Sequence, residues 1–327
     1  MKIVKALLLA GALAGTSCAG SSQGGATSGD SAEVVETQSV TLSPAAAAFS
    51  ADSAYTYMEK QVNFGPRVPG TASHRACGDW LEAELARHGA TVLTQEFTAT
   101  AFDGTPLPSR NIMGQFNPEA EDRILLLAHW DTRPWADEDP DPANHDKPIP
   151  GANDGASGVG VLLEVARVLA AEGTDKGIDI LFVDSEDYGS TGDDDSWALG
   201  ARYFAQNPIK AGYRPARAVL LDMVGGKDAV FAREYFSQEN APWLVDALWR
   251  SAAKAGYADR FVNQMGGGIT DDHLQLQEVG IPAIDIIEMT PEGFNPTWHT
   301  MADDMFNIDR SSLQAVGATL LTWLSQK

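Results

Sequence analysis

The sequence predicts an α/β fold, a three-layer sandwich in which a central mixed, mostly parallel β-sheet is flanked by helices. Three observations lead there. Arg123-Ile-Leu-Leu-Leu-Ala-His129 is a short apolar run without alternation, as expected of a strand covered on both faces. From that point strand-like and helix-like patterns alternate to the C-terminus. Polar residues then recur just past the expected strand ends, where open α/β sheets form their working sites.

In chain order, Met1-Lys-Ile-Val-Lys5 followed by Ala6 to Ala14 has the basic and then apolar layout of a secretory signal, too short to span a membrane in the mature protein. Cys18 follows Gly15-Thr-Ser and resembles the lipid-modified cysteine of bacterial lipoproteins, although Gly15 stands where Leu, Val or Ile is usual. Residues 1–18 are therefore expected to be a secretory or lipoprotein signal segment. The mature protein is expected to be exported, periplasmic or held to the outer membrane by a lipid anchor at Cys18, with simple cleavage and release as the alternative. Residues 19–48 are rich in Ser, Gly, Ala and Thr and read as a disordered linker. With Cys18 consumed or removed, Cys77 has no partner for an intrachain disulfide.

The folded domain is expected over 49–327. A helix through Ala51 to Val62 is followed by the break Gly65-Pro-Arg-Val-Pro-Gly70, and a second helix runs from Thr71 to Arg87, closed by Gly89. Strands are expected at Thr91–Thr98, Arg110–Phe116, Arg123–His129, Ile178–Val183, Ala218–Leu221 and Pro282–Ile287. Helices are expected at Val159–Leu169, Ala198–Ala205, Pro242–Ala255 and Ser311–Leu324. Neither an internal repeat nor a second domain is visible.

A net charge of -22 argues against nucleic-acid and anionic-membrane partners, which reward Lys and Arg patches. It suits a cationic ligand such as a peptide N-terminus or a divalent metal, and it keeps an exported protein soluble. A monomer is expected.

The chemistry-bearing residues fall at the strand ends. His129-Trp-Asp131 follows the third strand, Asp184-Ser-Glu186-Asp187 the fourth, Asp222 the fifth, and Trp298-His299 lies beyond the last. Gly151-Ala-Asn-Asp-Gly-Ala-Ser-Gly158 opens straight into a helix and carries Asp154 where glycines permit a tight bend, though the same stretch also reads as an ordinary turn. Asp154, Asp187 and His299 make a zinc-type ligand set, three protein donors with one position open. Glu186, next to a ligand, suits a general base. His129 and Asp222 are left to hold a second metal bridged by Asp154, or to hydrogen-bond the ligands. Trp130, Trp135 and the loop Asp137 to Asp146 are expected near the site, the loop solvated and His145 on the surface. His74 and His88 are expected to face solvent, and His273 to brace the site.

The order His-x-Asp, Gly-Ala-x-Asp-Gly-Ala-Ser-Gly, Glu-Asp, Asp, His-Thr resembles the zinc-dependent aminopeptidase superfamily from Phe64 to Leu324. Its glutaminyl cyclase branch is resembled by Asp195-Ser-Trp-Ala-Leu-Gly-Ala-Arg-Tyr-Phe-Ala205, Leu221-Asp-Met-Val-Gly225, Thr270-Asp-Asp-His273 and Phe294-Asn-Pro-Thr-Trp-His-Thr-Met301. The resemblance implies a zinc exopeptidase-like fold and one zinc on Asp154, Asp187 and His299. It implies Glu186 as general acid and base, Asp222 and Asp271 as acidic partners beside it, and Trp298 with Phe294 as pocket aromatics. At Asp187 the animal cyclases carry glutamate, whereas aspartate occurs elsewhere in the superfamily. The implied reaction closes the N-terminal glutamine of a peptide to pyroglutamate with loss of ammonia. The alternatives are a zinc aminopeptidase, usually with two metals, and a surface lipoprotein that keeps the fold for binding alone.

Overall fold

Ser43 starts the first helix: its hydroxyl accepts the Ala46 N–H and Pro44 occupies the first turn, giving α1 (Pro44–Ala48). Residues 40, 42–290 and 293–326 of a computed structural model are described. The signal segment, Cys18 and most of the expected linker lie outside the described residues. The linker was expected to reach Ala48, yet α1 falls inside it and buries Ala46 in the core, so folded packing starts one short helix ahead of Phe49. An alanine run that is too small to signal a core position in sequence still packs closely against a helix.

Ser50 caps α2 (Ala51–Val62) and Thr71 caps α3 (Ala72–Arg87). The hairpin β1 (Thr91–Thr100) and β2 (Pro106–Phe116) follows, then β3 (Arg123–His129), α4 (Ala156–Glu172), β4 (Gly177–Val183), α5 (Leu199–Gln206) and β5 (Arg217–Asp222). Next come β6 (Phe231–Arg233), α6 (Tyr235–Asn240), α7 (Pro242–Ala255), β7 (Phe261–Met265), α8 (Asp272–Glu278), β8 (Ala283–Ile287) and α9 (Arg310–Leu324). The main sheet has six strands in the order β1-β2-β4-β3-β5-β8; β6 and β7 form a separate parallel pair. Strands β4, β3, β5 and β8 are parallel, and β2 joins β4 antiparallel, so the sheet is mixed and mostly parallel as expected.

The missing alternation in β3 has its physical cause in the two covering layers. Leu126, Ile180, Val219 and Ile284 point into the larger core with α4 and α9, whereas Leu125, Leu127, Leu181 and Leu220 point into a second core with α5. At the N-terminal end of the sheet, Arg123 clamps Asp179 with two bonds of 2.8 and 2.6 Å. The opposite end, where all four parallel strands finish, carries the candidate site. There α4 approaches the sheet very closely: a Cβ on Gly158 would meet the Leu221 carbonyl oxygen at 2.2 Å. This close approach seats the loop bearing Asp154 against the end of β5.

Candidate active site

The candidate side chains come from strand ends and from the loops that follow them. His129 and Asp222 are the last residues of β3 and β5, Glu186 and Asp187 follow β4, and His299 lies beyond β8. Asp154 directly precedes Gly155, whose φ of 93° and close approach to the Asp131 carbonyl (2.5 Å from a Cβ) leave room only for glycine. Ser185, Met223 and His299 adopt left-handed backbone, with φ of 55°, 46° and 53°. Non-glycine residues in this region are costly and need surrounding support, and here they aim the functional groups inward from the strand ends.

The support comes from buried polar clamps. Asp131 accepts the N–H groups of Glu186 (3.1 Å) and Asp187 (3.2 Å). Asp303 accepts those of Asn153 (2.7 Å) and Asp154 (3.1 Å). Arg67, fully buried, donates to the carbonyls of Pro150 (2.7 Å) and Gly151 (2.6 Å). The His299 carbonyl accepts the Glu138 N–H, and Asp139 accepts the Met301 N–H, so the acidic loop holds the His299 segment in place.

His299 Nε2 lies 3.2 Å from Asp187 Oδ1 and 3.7 Å from Asp154 Oδ2. His129 Nε2 lies 3.1 Å from Asp154 Oδ1 and hydrogen-bonds Asp222 Oδ1 at 3.2 Å, with its Nδ1 3.5 Å from Asp131. Burial opposes charge on His129, but the three carboxylates around it prevail and hold its pKa well above the ordinary value. Burial pushes His299 down to about 4, leaving a neutral imidazole. Burial also raises Asp154 to about 6 and Asp187 to about 7. Glu186 is raised well above the usual carboxylate range, first by burial, with Asp271 and Asp187 adding to the effect and His129 opposing it.

A cavity of about 310 Å³ opens over these groups, lined by Asp154, Glu186, Asp187, Asp222, Asp271 and His299 together with Trp197, Phe294 and Trp298. Trp298 stacks on His299 at 3.6 Å between centroids, and Phe294 packs against Trp298 at 4.7 Å. The expected ligands, base, acidic partners and pocket aromatics thus all meet at one place.

Several neighbours differ from expectation. Trp130 is buried away from the cavity, stacked on His74, and Trp135 packs on Tyr188 and Phe102. His74 and His88 are buried rather than solvent-facing: His74 pairs with Asp184 at 2.9 Å and His88 with the Tyr57 hydroxyl at 3.0 Å. They lie at the two ends of the buried face of α3, on either side of Cys77, Leu81 and Leu85, where each imidazole finds a partner. His145 touches only its own loop, through the Asp139 carbonyl. His273 is buried 3.3 Å from Glu234. Sequence reasoning gave no role to Asp131, Asp303, Arg67, Trp197 or Asp285. Of these, Asp131 carried a signal, as part of His129-Trp-Asp131.

The site fits a metal. One donor atom from each of Asp154, Asp187 and His299 lies within 4.8 Å of the others, and Asp154 Oδ2 and both Asp187 carboxylate oxygens are buried without a hydrogen-bond partner. Such orphaned acceptors are costly unless a cation meets them, and two carboxylates with a neutral imidazole are a zinc donor set.

The description "Peptidase family M28" matches residues 111–324. The structure is similar to that of Porphyromonas gingivalis glutaminyl cyclase, with TM-score 0.83 and 53% identity, covering 85% of this chain and 98% of that one. It is equally similar to a Zn-dependent exopeptidase from Parabacteroides distasonis, with TM-score 0.84 and 50% identity over 85% and 99% of the two chains. Aminopeptidase YwaD of Bacillus subtilis is 28% identical over 247 residues, 71% of this chain; the chain spans about half of that relative's length, 48%. With the zinc-type site at the ends of four parallel strands, the chain belongs to peptidase family M28, in the branch that holds the bacterial glutaminyl cyclases.

Proposed function

We propose that the protein is a zinc-dependent glutaminyl-peptide cyclotransferase, converting N-terminal glutamine to pyroglutamate with release of ammonia. The observation that carries the reading is the placement of Glu186, buried on the wall of a small aromatic-lined cavity beside the Asp154–Asp187–His299 trio. One zinc on that trio, when bound, supplies a Lewis acid for the γ-carboxamide oxygen. Everything else is done by the chain's own groups. Trp298, Phe294 and Trp197 enclose the glutamine side chain and exclude water. Glu186 accepts a proton from the α-amine as its nitrogen bonds to the carbonyl carbon of the γ-carboxamide (Cδ), then returns that proton to the departing amide nitrogen as the bond from Cδ to that nitrogen breaks and ammonia leaves. Asp222 and Asp271 line the same wall and are assigned as its acidic partners.

His129 supports a single metal. Its Nε2 hydrogen-bonds Asp222 Oδ1 and lies 3.1 Å from Asp154 Oδ1, so the nitrogen that would bind a second ion is already held between two carboxylates. One observation favours a second reading, a two-metal aminopeptidase: His129, Asp154 and Asp222 also offer three donor atoms within 4.8 Å of one another. Mass spectrometry after incubation with a glutamine-initiated and a leucine-initiated peptide separates the two. Loss of ammonia from the glutamine peptide alone is expected; loss of a whole residue from either would install the aminopeptidase.

The proposal extends to an exported, monomeric enzyme anchored through lipid at Cys18, supported by the leader-like sequence from Met1 to Ala14. A Cys18→Ser chain is expected to move from the membrane fraction to the soluble fraction on cell fractionation. Retention in the membrane would remove the anchor.

A further inference from the structure

A second concave surface adjoins the catalytic cavity. It is a groove of about 630 Å³ floored by the β6–β7 pair, with Val230 just ahead of β6, Ala232 in it, and Val262 and Gln264 in β7. All four side chains line the same groove. The groove and the catalytic cavity share their walls. Gly266 and Gly267 border the groove and Gly268 the cavity; after β8, Met289 and Gly293 border the groove and Phe294 the cavity.

We propose that this groove receives the residues following the N-terminal glutamine of a peptide substrate, and that it favours apolar side chains there. The assignment rests on the cyclase reading, which places the first residue in the cavity. A cavity of 310 Å³ suits one side chain, so the rest of the peptide must leave through its mouth. The adjoining groove offers a continuous path.

The chemistry of the path sets the preference. Its lining holds no charged side chain among the described residues, although the chain as a whole carries a net charge of -22. Met265 on its rim is 56% exposed, and Tyr235 and Phe236 nearby are exposed as well. These two rings pack edge to face at 5.4 Å, and Phe236 lies so close to Gly268 that a Cβ there would meet its ring at 2.7 Å. Apolar side chains gathered at the mouth of a site mark a binding surface more often than they mark chance exposure. Glycines at 266–268 let the wall between the two openings run close to a bound backbone.

The test compares glutamine amide, Gln-Gly-Gly-amide and Gln-Leu-Leu-amide on the zinc-loaded enzyme, its Met265→Glu variant and its Met265→Leu variant, reading ammonia release. For the unaltered enzyme, kcat/KM for the leucine peptide should exceed that for the glycine peptide about tenfold, mainly through KM. Met265→Glu should bring the ratio close to one without changing turnover of glutamine amide, and Met265→Leu should keep the preference. Equal kcat/KM for the leucine and glycine peptides in the unaltered enzyme would overturn the assignment. So would a Met265→Glu variant that slows all three substrates alike. Absence of ammonia from every substrate, glutamine amide included, would sink the cyclase reading and this assignment with it.

Discussion

Glu186→Gln is expected to lower kcat by about 10²- to 10⁴-fold while leaving zinc content and KM close to those of the unaltered enzyme. The amide keeps the shape of the side chain and its place on the cavity wall but can no longer take and return a proton. The segment should stay in position because it is held by backbone rather than by the carboxylate: Asp131 accepts the N–H groups of residues 186 and 187, and the carbonyl of Glu186 accepts the N–H of Ala198. Glu186 is also absent from the trio offered to the metal. Initial rates together with zinc content by elemental mass spectrometry check this. A variant with full activity would shift the proton transfer to Asp222 or Asp271, the other carboxylates on the same wall. A variant that had lost its zinc would make residue 186 a ligand.

How much of this site could be read from the sequence depended on whether a residue's role was local. Asp154, Glu186, Asp187 and Asp222 were legible because each lies within a few residues of a strand or helix end, and the carboxyl edge of a parallel sheet gathers whatever its strand ends carry; His299, far along the loop after β8, was legible through its Trp-His-Thr motif. The strands themselves were legible because burial on both faces leaves an unbroken apolar run. Asp303 was not legible: in Ala-Asp-Asp it reads as a solvated acidic pair, and only the fold brings it to the N–H groups of Asn153 and Asp154. Arg67 was hidden in the same way, within a loop that reads as a chain break, although its guanidinium fastens the carbonyls ahead of Asp154. The short elements escaped for a different reason. With three residues in β6 and exposed polar residues in β7, neither offers enough periodicity to register. His74 defied the default for a histidine on a polar helix because its partner, Asp184, is 110 residues away.

Removal of zinc is expected to abolish turnover, by about 10³-fold or more, and to give the protein a distinctive dependence of stability on pH. Among the chain's own groups, burial raises Asp154 to about 6, Asp187 to about 7, and Asp272 and Asp303 to about 8. A carboxyl with a raised native pKa keeps its proton when folded at a pH where the unfolded chain, titrating near 4, has already released it. The stability it contributes is fully present below pH 4 and is lost as the pH rises through the native value. The zinc-free protein should therefore melt roughly 5 °C or more lower at pH 8 than at pH 5. Zinc reverses the dependence at Asp154 and Asp187, because it binds them ionised and competes with the protons they would otherwise hold. The increase in melting temperature on adding zinc should consequently grow between pH 5 and pH 8. Scanning calorimetry of chelator-treated and reloaded protein reads both trends, and an increment independent of pH would remove the two aspartates from the ligand set. The same reloaded samples determine the number of metals. If His129 is committed to its hydrogen bond with Asp222, activity recovers fully at one equivalent of zinc. If recovery required a second equivalent, that imidazole would have to release Asp222 and become a ligand, and hydrolysis of the peptide bond would become the better reading of the site.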